Sequence, residues 1–179
     1  MNDQIEVELK FLVPKPARAA IAAEMARGSA TLERRTLAAV YLDTEDRRLA
    51  RAGIAWRLRR EGRRWIQTLK SGGANALERF EHEVIRPDAS HDVDLHAGTP
   101  VGDELIAILR DAHADGVDVD VRFRTEVRRT ARRIRTRGAV VEVALDEGRL
   151  LTSESSQRIR EVEFELISGS PRSALLRGS

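Results

Sequence analysis

The feature that most constrains this chain is a period-two alternation of charged and apolar residues, which recurs in most segments with strand character. In the first such segment, residues 5–11, Glu6, Glu8 and Lys10 alternate with apolar residues. Because successive side chains of a strand point to opposite faces, the three charges share one face and the apolar residues share the other. The alternation predicts a mainly β protein whose strands each have an apolar and a charged face.

Five later segments repeat this alternation. Their polar phases hold Arg57 and Arg59; Thr68 and Lys70; Arg79, Glu81 and Glu83; Glu142 and Asp146; and Glu161, Glu163 and Glu165. The run 122–137 contains so many arginines that a single β-bulge would move every one of them to the other face. The sequence therefore does not decide which face of the strand each arginine of that run occupies.

The order of elements follows from periodicity and from turn residues. Strands are predicted at 37–42, 54–60, 65–70, 79–85, 119–134, 139–145 and 159–167, with a hairpin around 61–63. Helices are predicted at 17–27, ending at Gly28, and at 102–113, and a short helical turn at 47–52 is expected to be capped by Asp43 and Thr44. Residues 86–100 are predicted as a surface loop, and His82 as a structural residue.

Composition limits the classes of protein and of chemistry. With 179 residues the chain is long enough for one domain with a substantial core, and a second full domain would be unusual. The absence of cysteine excludes disulfides, thiolate metal sites and cysteine nucleophiles. No basic and apolar leader segment and no apolar run of roughly 18 residues occurs, so we expect a soluble cytoplasmic protein without membrane association.

Charge is nearly balanced, so its placement matters more than its sum. The formal net charge is +2 at pH 7, and among the 31 basic residues only Lys10, Lys15 and Lys70 are lysines. The planar fork of arginine suits phosphate and carboxylate oxygens better than the point charge of lysine does. This composition indicates contacts with anionic oxygens.

Two architectures satisfy the alternation. In one, an antiparallel sheet packs its apolar face on helices and exposes its charged face to water. In the other, about eight strands close into a barrel with a charged interior, and helices cover its apolar outside. A charged interior is costly unless the charges neutralise one another or bind a ligand, because an unpaired buried charge costs several kcal/mol. A polyanion with metal ions would compensate both the arginines and the carboxylates.

A set of positions occurs in a fixed order along the chain: Glu6-x-Glu8-x-Lys10; Tyr41-Leu42-Asp43-Thr44 with Leu49 and Gly53; Arg57-Leu58-Arg59; Lys70; Arg79-x-Glu81; Glu142 with Asp146; and Glu161-x-Glu163-x-Glu165. This set resembles the CYTH family, also called the triphosphate tunnel metalloenzymes. The resemblance extends from Ile5 to about Ser168, nearly the whole chain. Within the family it is greatest to the CYTH domains of bacterial inorganic triphosphatases.

The resemblance implies a fold and a chemistry. Family members form an antiparallel β-barrel with a tunnel, bind a linear triphosphate inside it and use Mg²⁺ or Mn²⁺ to cleave a terminal phosphoryl group. By this match residues 1–179 form a single CYTH domain with its core at 5–168 and a C-terminal tail at 169–179. Since such domains often precede a helical CHAD domain, the chain is either a stand-alone protein or a domain cut before a CHAD domain, with 177–179 as a tag remnant.

The match also implies roles for individual residues. The carboxylates expected to bind the metal ion are Glu6, Glu8, Asp146, Glu163 and Glu165. The cations expected to bind substrate phosphates in the tunnel are Lys10, Arg57, Arg59, Lys70, Arg79, Arg124 and Arg129, and Lys10 is also expected to act in catalysis. Glu81 and Glu161 are the candidates for activating the attacking water.

Three functions are compatible with this pattern. The one we predict is metal-dependent hydrolysis of inorganic triphosphate (tripolyphosphate) to pyrophosphate and phosphate, with nucleoside or thiamine triphosphates as related substrates. A class IV-type adenylyl cyclase is the second, although the aromatic N-terminal signature of such cyclases is absent here. The third is a non-catalytic polyphosphate-binding module, which would have no use for four carboxylates facing its ligand. We expect a monomer or homodimer that does not bind nucleic acid.

Overall fold

The computed structural model describes residues 2–27, 32–72, 78–136 and 138–170, with side chains from Glu6 onward. Within these ranges the strands are β1 (Asn2–Leu12), β2 (Glu33–Thr44), β3 (Ile54–Glu61), β4 (Arg64–Gly72), β5 (Glu78–Arg86), β6 (Val119–Thr136), β7 (Ala139–Leu151) and β8 (Ser156–Gly169). They form a closed barrel in the order β1-β5-β4-β3-β2-β6-β7-β8, and every pair is antiparallel. The closed barrel is confirmed, and the open sheet is excluded.

The barrel is closed by β1, which divides its length between two neighbours. Residues 2–7 pair with β5, whereas residues 8–12 pair with β8. One strand thus joins the first and last parts of the chain. The change of partner falls between Glu6 and Glu8, so Glu6 is paired with Arg79 of β5 and Glu8 with Glu165 of β8.

Three helices lie on the outside of the barrel in the described part of the chain. They are α1 (Arg18–Ala26), which follows a 3₁₀ turn at Lys15–Ala17, α2 (Arg48–Arg51) and α3 (Pro100–Ala114). The predicted helices are confirmed, although the first one begins at Arg18 because Ala17 belongs to the preceding 3₁₀ turn; its predicted end at Gly28 lies outside the described residues. None of these helices is long and apolar enough to cross a membrane.

Apolar packing occurs between the helices and the outer face of the barrel. One cluster under α2 and α3 consists of Leu42, Leu49, Ile54, Trp56, Leu69 and Leu105. A second cluster under α1 consists of Val13, Met25, Val143, Leu145 and Val162. Since these strand residues occupy the phase opposite to the charged residues, the barrel is inverted, with apolar residues outside and charged residues inside.

The turn after β2 is held by its own polar side chains. The Asp43 carboxylate accepts hydrogen bonds from the backbone amides of Leu49 (2.9 Å) and Ala50 (3.0 Å), and Thr44 Oγ1 accepts one from the amide of Arg48 (2.9 Å). These bonds satisfy amides at the start of α2 that have no partner within the helix. The predicted capping role of Asp43 and Thr44 is confirmed.

The predicted surface loop at 86–100 is only partly exposed. It contains a second 3₁₀ turn, Val93–His96, and His96 is completely buried. Its Nδ1 lies 2.8 Å from Nδ1 of buried His82, and its Nε2 lies 3.0 Å from Nε2 of Gln67. Burial and then the neighbouring His82 lower the pKa of His96 to about 4. The surface prediction is wrong for His96, because a neutral histidine can be buried when polar partners are available.

Candidate active site

The interior of the barrel is a tunnel with a cavity of about 550 Å³. Its lining is dominated by charged side chains from the polar phases of the strands. The basic residues in the lining are Lys10, Arg35, Arg57, Arg59, Lys70, Arg79, Arg129 and Arg133, and the acidic residues are Glu6, Glu8, Glu61, Glu81, Glu83, Glu142, Glu163 and Glu165. The charged phase predicted from the sequence is therefore the inside of the barrel.

Several of these charges neutralise each other where β1 meets β5 and β4. Lys70 Nζ lies 2.6 Å from Glu6 Oε2 and 3.3 Å from Glu81 Oε1. Arg79 Nε donates to Glu8 Oε1 at 2.8 Å. This network brings Glu6 of the first strand into contact with a lysine 64 positions further on, which the hairpin β4-β5 places on the same face.

Two arginines of β3, Arg57 and Arg59, form what we call the basic wall, in which each keeps a donor without a partner in the described part of the chain, although Arg59 also lies 3.6 Å from Glu83 Oε1. The Nε atoms of both residues are buried and have no hydrogen-bond partner among the described residues. Burial and then the charge of Arg57 lower the pKa of Arg59, although Nη2 of Arg59 lies 2.6 Å from Glu61 Oε1. A buried donor without a partner is costly, so this wall is suited to an anionic ligand.

A balanced arrangement lies on the other side, where β1, β8 and β6 bring together Lys10, Glu163 and Arg129, here called the paired row. Lys10 Nζ lies 2.7 Å from Glu163 Oε1, and Arg129 donates to Glu163 and, through two bonds of 2.8 and 2.7 Å, to Asp146. Burial alone would raise the pKa of Glu163, but the charges of Arg129 and Lys10 hold it below its ordinary value.

Next to the paired row, three carboxylates stand side by side across β1, β8 and β7. Glu8 is opposite Glu165, and Glu165 is opposite Glu142; we call these three residues the acidic row. Glu8 contacts Arg79, and Glu142 accepts a bond from Arg133 Nε at 3.3 Å, but Glu165 forms no ion pair or hydrogen bond with a described residue. Burial, followed by the charges of Glu6 and Glu142, raises the pKa of Glu165. Like charges directly opposite each other destabilise a sheet, so this row is suited to a cation.

The basic wall and the acidic row face each other. In the eight-strand order, β3 lies four strands from β8 in either direction around the barrel. Arginine donors and a carboxylate that have no partner among the described residues are thus held on opposite sides of one cavity. A ligand that carries both an anionic chain and a cation would compensate both.

Glu81 has an environment suited to proton transfer. Its side chain lines the cavity next to Lys70. Burial raises the pKa of Glu81 to about 7, against the opposing charge of Lys70. A carboxylate with a pKa near neutral can accept and release a proton efficiently at neutral pH.

Most of the residues selected from the sequence meet in this cavity. Those that line it are Glu6, Glu8, Lys10, Arg57, Arg59, Lys70, Arg79, Glu81, Arg129, Glu163 and Glu165. Asp146 shares their face, but both of its carboxylate oxygens bind Arg129. Glu161 is not among the residues that line the cavity. Its Oε2 lies 3.4 Å from Nζ of Lys10, which does line it, so Glu161 is linked to the cavity through Lys10.

The prediction that Arg124 lines the tunnel is wrong. Arg124 is exposed and pairs with Val40 and Leu151, whereas the tunnel residue Arg129 is an odd number of positions away. The register irregularity between β2 and β6 falls opposite Tyr41 and Leu42, before Arg124 is reached. With regular alternation from 124 to 129, the two side chains must point to opposite faces.

Sequence reasoning left several lining residues without a role. Glu142 was recognised in the ordered set but was not assigned to the metal site, and Arg35, Arg133 and Glu83 received no role at all. The alternation of Glu142 with Asp146 was the available signal for Glu142. For Arg133 no signal existed, since the arginine run 122–137 fits either face.

The tunnel carboxylates supply oxygen ligands of the kind that a hard cation prefers, but they do not form a full set of metal ligands by themselves. In the described ranges no three histidine, aspartate or glutamate side chains are arranged to hold a metal ion by themselves. Mg²⁺ usually binds one or two carboxylates and completes its shell with waters and substrate phosphates, so a preformed cluster is not required. The all-oxygen donors of the acidic row match this preference, and the lack of a partner for Glu165 provides the unbalanced charge.

Comparison with known proteins agrees with this geometry. The sequence profile of the CYTH domain matches residues 4–175. The chain belongs to the CYTH family. An inorganic triphosphatase of Haemophilus influenzae is 28% identical to this CYTH chain over 129 residues, which cover 72% of the chain and 35% of that relative. The chain thus spans little more than a third of the relative's length.

Solved structures share the CYTH barrel. A candidate adenylate cyclase of Bacillus halodurans has a TM-score of 0.60 at 22% identity, covering 94% of this chain and 83% of its own. PH1819 of Pyrococcus horikoshii has a TM-score of 0.54 at 19% identity, and the match covers 93% of this chain and 80% of PH1819. HpAC1 of Hippeastrum is a candidate adenylyl cyclase described as having a dominant triphosphatase activity. It has a TM-score of 0.52 at 16% identity, and the match covers 92% of this chain and 80% of HpAC1. At these identities the similarity concerns the fold.

Proposed function

We propose that this CYTH protein hydrolyses inorganic triphosphate inside its tunnel and uses Mg²⁺ or Mn²⁺ as cofactor. The observation that carries the proposal is that Arg57 and Arg59 keep buried Nε donors without a partner among the described residues, while Glu165, on the opposite side of the barrel, has no ion pair with any of them. A linear triphosphate is a chain of anionic oxygens that brings its own divalent cations. It would supply acceptors to Arg57 and Arg59 and a counter-charge to Glu165.

The phosphate chain would be held by cations that the tunnel already brings together. Arg57, Arg59 and Lys70 would bind it from one side, and Lys10, Arg79 and Arg129 from the other. Phosphoryl transfer depends mainly on positioning and on stabilising the charge spread over the equatorial oxygens. Guanidinium groups in a partly dry cavity supply both, since their donors are oriented before the substrate arrives.

The metal ion would be held by Glu8 and Glu165, with Glu6 and Glu163 close to it. When bound, the ion would neutralise phosphate charge and polarise the bond that breaks. Asp146 would act as a positioning residue, because Arg129 already occupies both of its oxygens.

In the reaction, a water oxygen attacks the terminal phosphorus and the bond from that phosphorus to the bridging oxygen breaks. Pyrophosphate leaves with the bonding electron pair, and the attacking water becomes part of the released phosphate. Glu81 would accept the proton of the water and return it to solvent. Its position in the lining and its pKa of about 7 support this role better than the more distant Glu161.

The relatives support the same reaction class. The Haemophilus influenzae relative is an inorganic triphosphatase, and the Hippeastrum protein with this fold has a dominant triphosphatase activity. Both activities are cleavages of a triphosphate, the substrate class proposed for this tunnel.

The deciding experiment is phosphate release from tripolyphosphate, ATP, thiamine triphosphate and pyrophosphate, each with Mg²⁺ and with Mn²⁺. We expect tripolyphosphate to be cleaved fastest, Glu165→Gln to lose most of the rate, and exposed Glu45→Gln to keep it. Thermal unfolding gives a second readout, since either metal ion should raise the Tm of the wild type more than that of Glu165→Gln. Faster cleavage of pyrophosphate, or formation of cyclic AMP from ATP, would contradict the substrate assignment.

The role of Glu81 has its own test. Glu81→Gln keeps the shape but cannot accept a proton, so the rate at saturating metal should fall by about 100-fold or more. Glu161→Gln should fall less, and Glu45→Gln serves as the control. A Glu81→Gln rate within about threefold of wild type would exclude Glu81 as the base.

A further inference from the structure

A second concave surface lies on the outside of the barrel, between the start of α1 and strands β6, β7 and β8. This outer trough has a volume of about 720 Å³, larger than the cavity of about 550 Å³ inside the tunnel. Its charged lining consists of six bases, Lys15, Arg18, Arg128, Arg149, Arg158 and Arg160, and two acids, Glu126 and Glu147. In a chain whose formal net charge is only +2, this is a strong local excess of positive charge.

The trough is separate from the tunnel because its charged strand residues occupy the other strand phase. Arg128 is adjacent in sequence to the tunnel residue Arg129, so their side chains point to opposite faces of β6. Across the strands, Arg128 is opposite Glu147, and Glu147 is opposite Arg160. Arg149, in turn, is opposite Arg158. The barrel wall therefore lies between the two basic surfaces.

Most of the positive charge in the trough is available to a ligand. Glu147 is already engaged by Arg18, which donates to it through Nε and, at 3.0 Å, through Nη2. Arg128, Arg158 and Arg160 form no ion pair with any residue in the described ranges. Arg149 has only a 3.5 Å contact with Ser156 Oγ. The charges of Arg128 and Arg160 act on Glu147 from a distance, but one carboxylate shared with Arg18 cannot balance all the guanidinium groups that face this groove.

We propose that the outer trough binds a linear inorganic polyphosphate, a longer chain than the tunnel substrate. Arginine forks bind phosphate oxygens through paired hydrogen bonds, and a polyphosphate presents such oxygens at every position. None of the described residues that line the trough is aromatic, so the stacking surface on which single-stranded nucleic acids rely is missing. This site is additional to the proposed tunnel activity and does not depend on it.

The test compares two double variants with the same change in net charge. Arg149→Ser/Arg158→Ser removes two exposed trough arginines, and Arg51→Ser/Arg110→Ser removes two exposed arginines from α2 and α3. The Kd for long-chain polyphosphate should rise about tenfold or more in the trough variant, since two phosphate contacts are lost, and stay near wild type in the control. The Kd for tripolyphosphate, measured by calorimetry without metal, should be the same in all three proteins.

A tunnel variant completes the design. Arg59→Gln should weaken tripolyphosphate binding and leave polyphosphate binding intact. If Arg59→Gln abolishes polyphosphate binding and the trough variant keeps it, polyphosphate binds in the tunnel and the proposal is wrong. Equal or tighter binding of a single-stranded DNA with the same number of phosphates, or of polyglutamate, would overturn the assignment to polyphosphate. Because the readout is binding, loss of the proposed hydrolysis would leave this test interpretable.

Discussion

Glu163 and Glu165 lie two residues apart on the same face of the same strand, yet their surroundings are opposite. Glu163 belongs to the paired row, where Lys10 and Arg129 hold its pKa below the ordinary value. Glu165 belongs to the acidic row, where burial and neighbouring carboxylates hold its pKa above that value. The difference comes from the strands on either side, since β1 presents Lys10 to one glutamate and Glu8 to the other.

The comparison separates two uses of buried charge. In the paired row the protein supplies its own counter-charges, so the row can hold the barrel together without a ligand. In the acidic row the repulsion remains until a cation arrives, so that row is suited to binding. Both uses come from a single Glu-x-Glu pattern, and the pattern itself does not distinguish them.

The largest effect should come from removing the guanidinium at the centre of the paired row. Arg129→Met leaves Asp146 and Glu163 buried with less counter-charge, so the free energy of unfolding should fall by about 3 to 5 kcal/mol. Urea denaturation in EDTA measures it. Arg128→Met, on the exposed outer face, is the control and should change stability by no more than about 0.5 kcal/mol. A loss below about 1 kcal/mol for Arg129→Met would mean that the paired row does not stabilise the barrel.

A smaller effect, of opposite sign at the two positions, should follow from neutralising each glutamate. Without metal, Glu163→Gln should destabilise by about 1 to 3 kcal/mol because Lys10 and Arg129 lose a partner. Glu165→Gln removes repulsion within the acidic row and should stabilise by up to about 1 kcal/mol. Urea denaturation in EDTA again measures the free energy of unfolding. A change of the same sign in both variants would contradict the distinction between the paired row and the acidic row.

The smallest effect should be a difference in pH dependence. Glu163 titrates below its ordinary 4.5 in the folded state, so its stabilising contribution is present above pH 4.5 and is lost as the pH falls through the folded pKa. Glu165 titrates above 4.5 in the folded state, so its contribution is present below 4.5 and is lost as the pH rises through the folded pKa.

Unfolding of the metal-free wild type and both variants, from about pH 4 to about pH 8, tests this contrast. The stability of Glu165→Gln relative to wild type should increase with pH across the range above 4.5. The deficit of Glu163→Gln should shrink toward the acid end. Parallel curves for the two variants would show that both glutamates titrate alike and would contradict the assignment.

Much of the barrel could be predicted from local pattern. Glu6, Glu8 and Lys10 had to share a face once residues 5–11 formed a strand, and the same holds for Arg57 with Arg59. The caps at Asp43 and Thr44 were equally predictable, since their chemistry acts over a few residues. Trp56, on the apolar phase of its strand, packs under α2 and α3 as its phase indicated.

The failures share one physical cause, which is that local sequence does not specify contacts with other elements; alternation, for example, assigns faces only relative to a known register. Arg124 was grouped with Arg129 although five positions separate them, and only the location of the irregularity before Arg124 shows that they lie on opposite faces. The burial of His96 depended on Gln67 and His82, which lie on two neighbouring strands, 29 and 14 positions earlier in the chain. The outer trough was not predicted either, because its six bases come from segments as far apart in sequence as Lys15 and Arg160.

The sequence by itself determined which charges share a strand face, because the two-residue period of a strand is a local property of the backbone. It also determined, through the ordered charged positions, the family to which the chain belongs. Only the tertiary structure decided which charges stand opposite each other. Strand pairing brings together residues up to about 160 positions apart, such as Glu8 and Glu165, and whether a carboxylate becomes a structural partner or a ligand site depends on that neighbour.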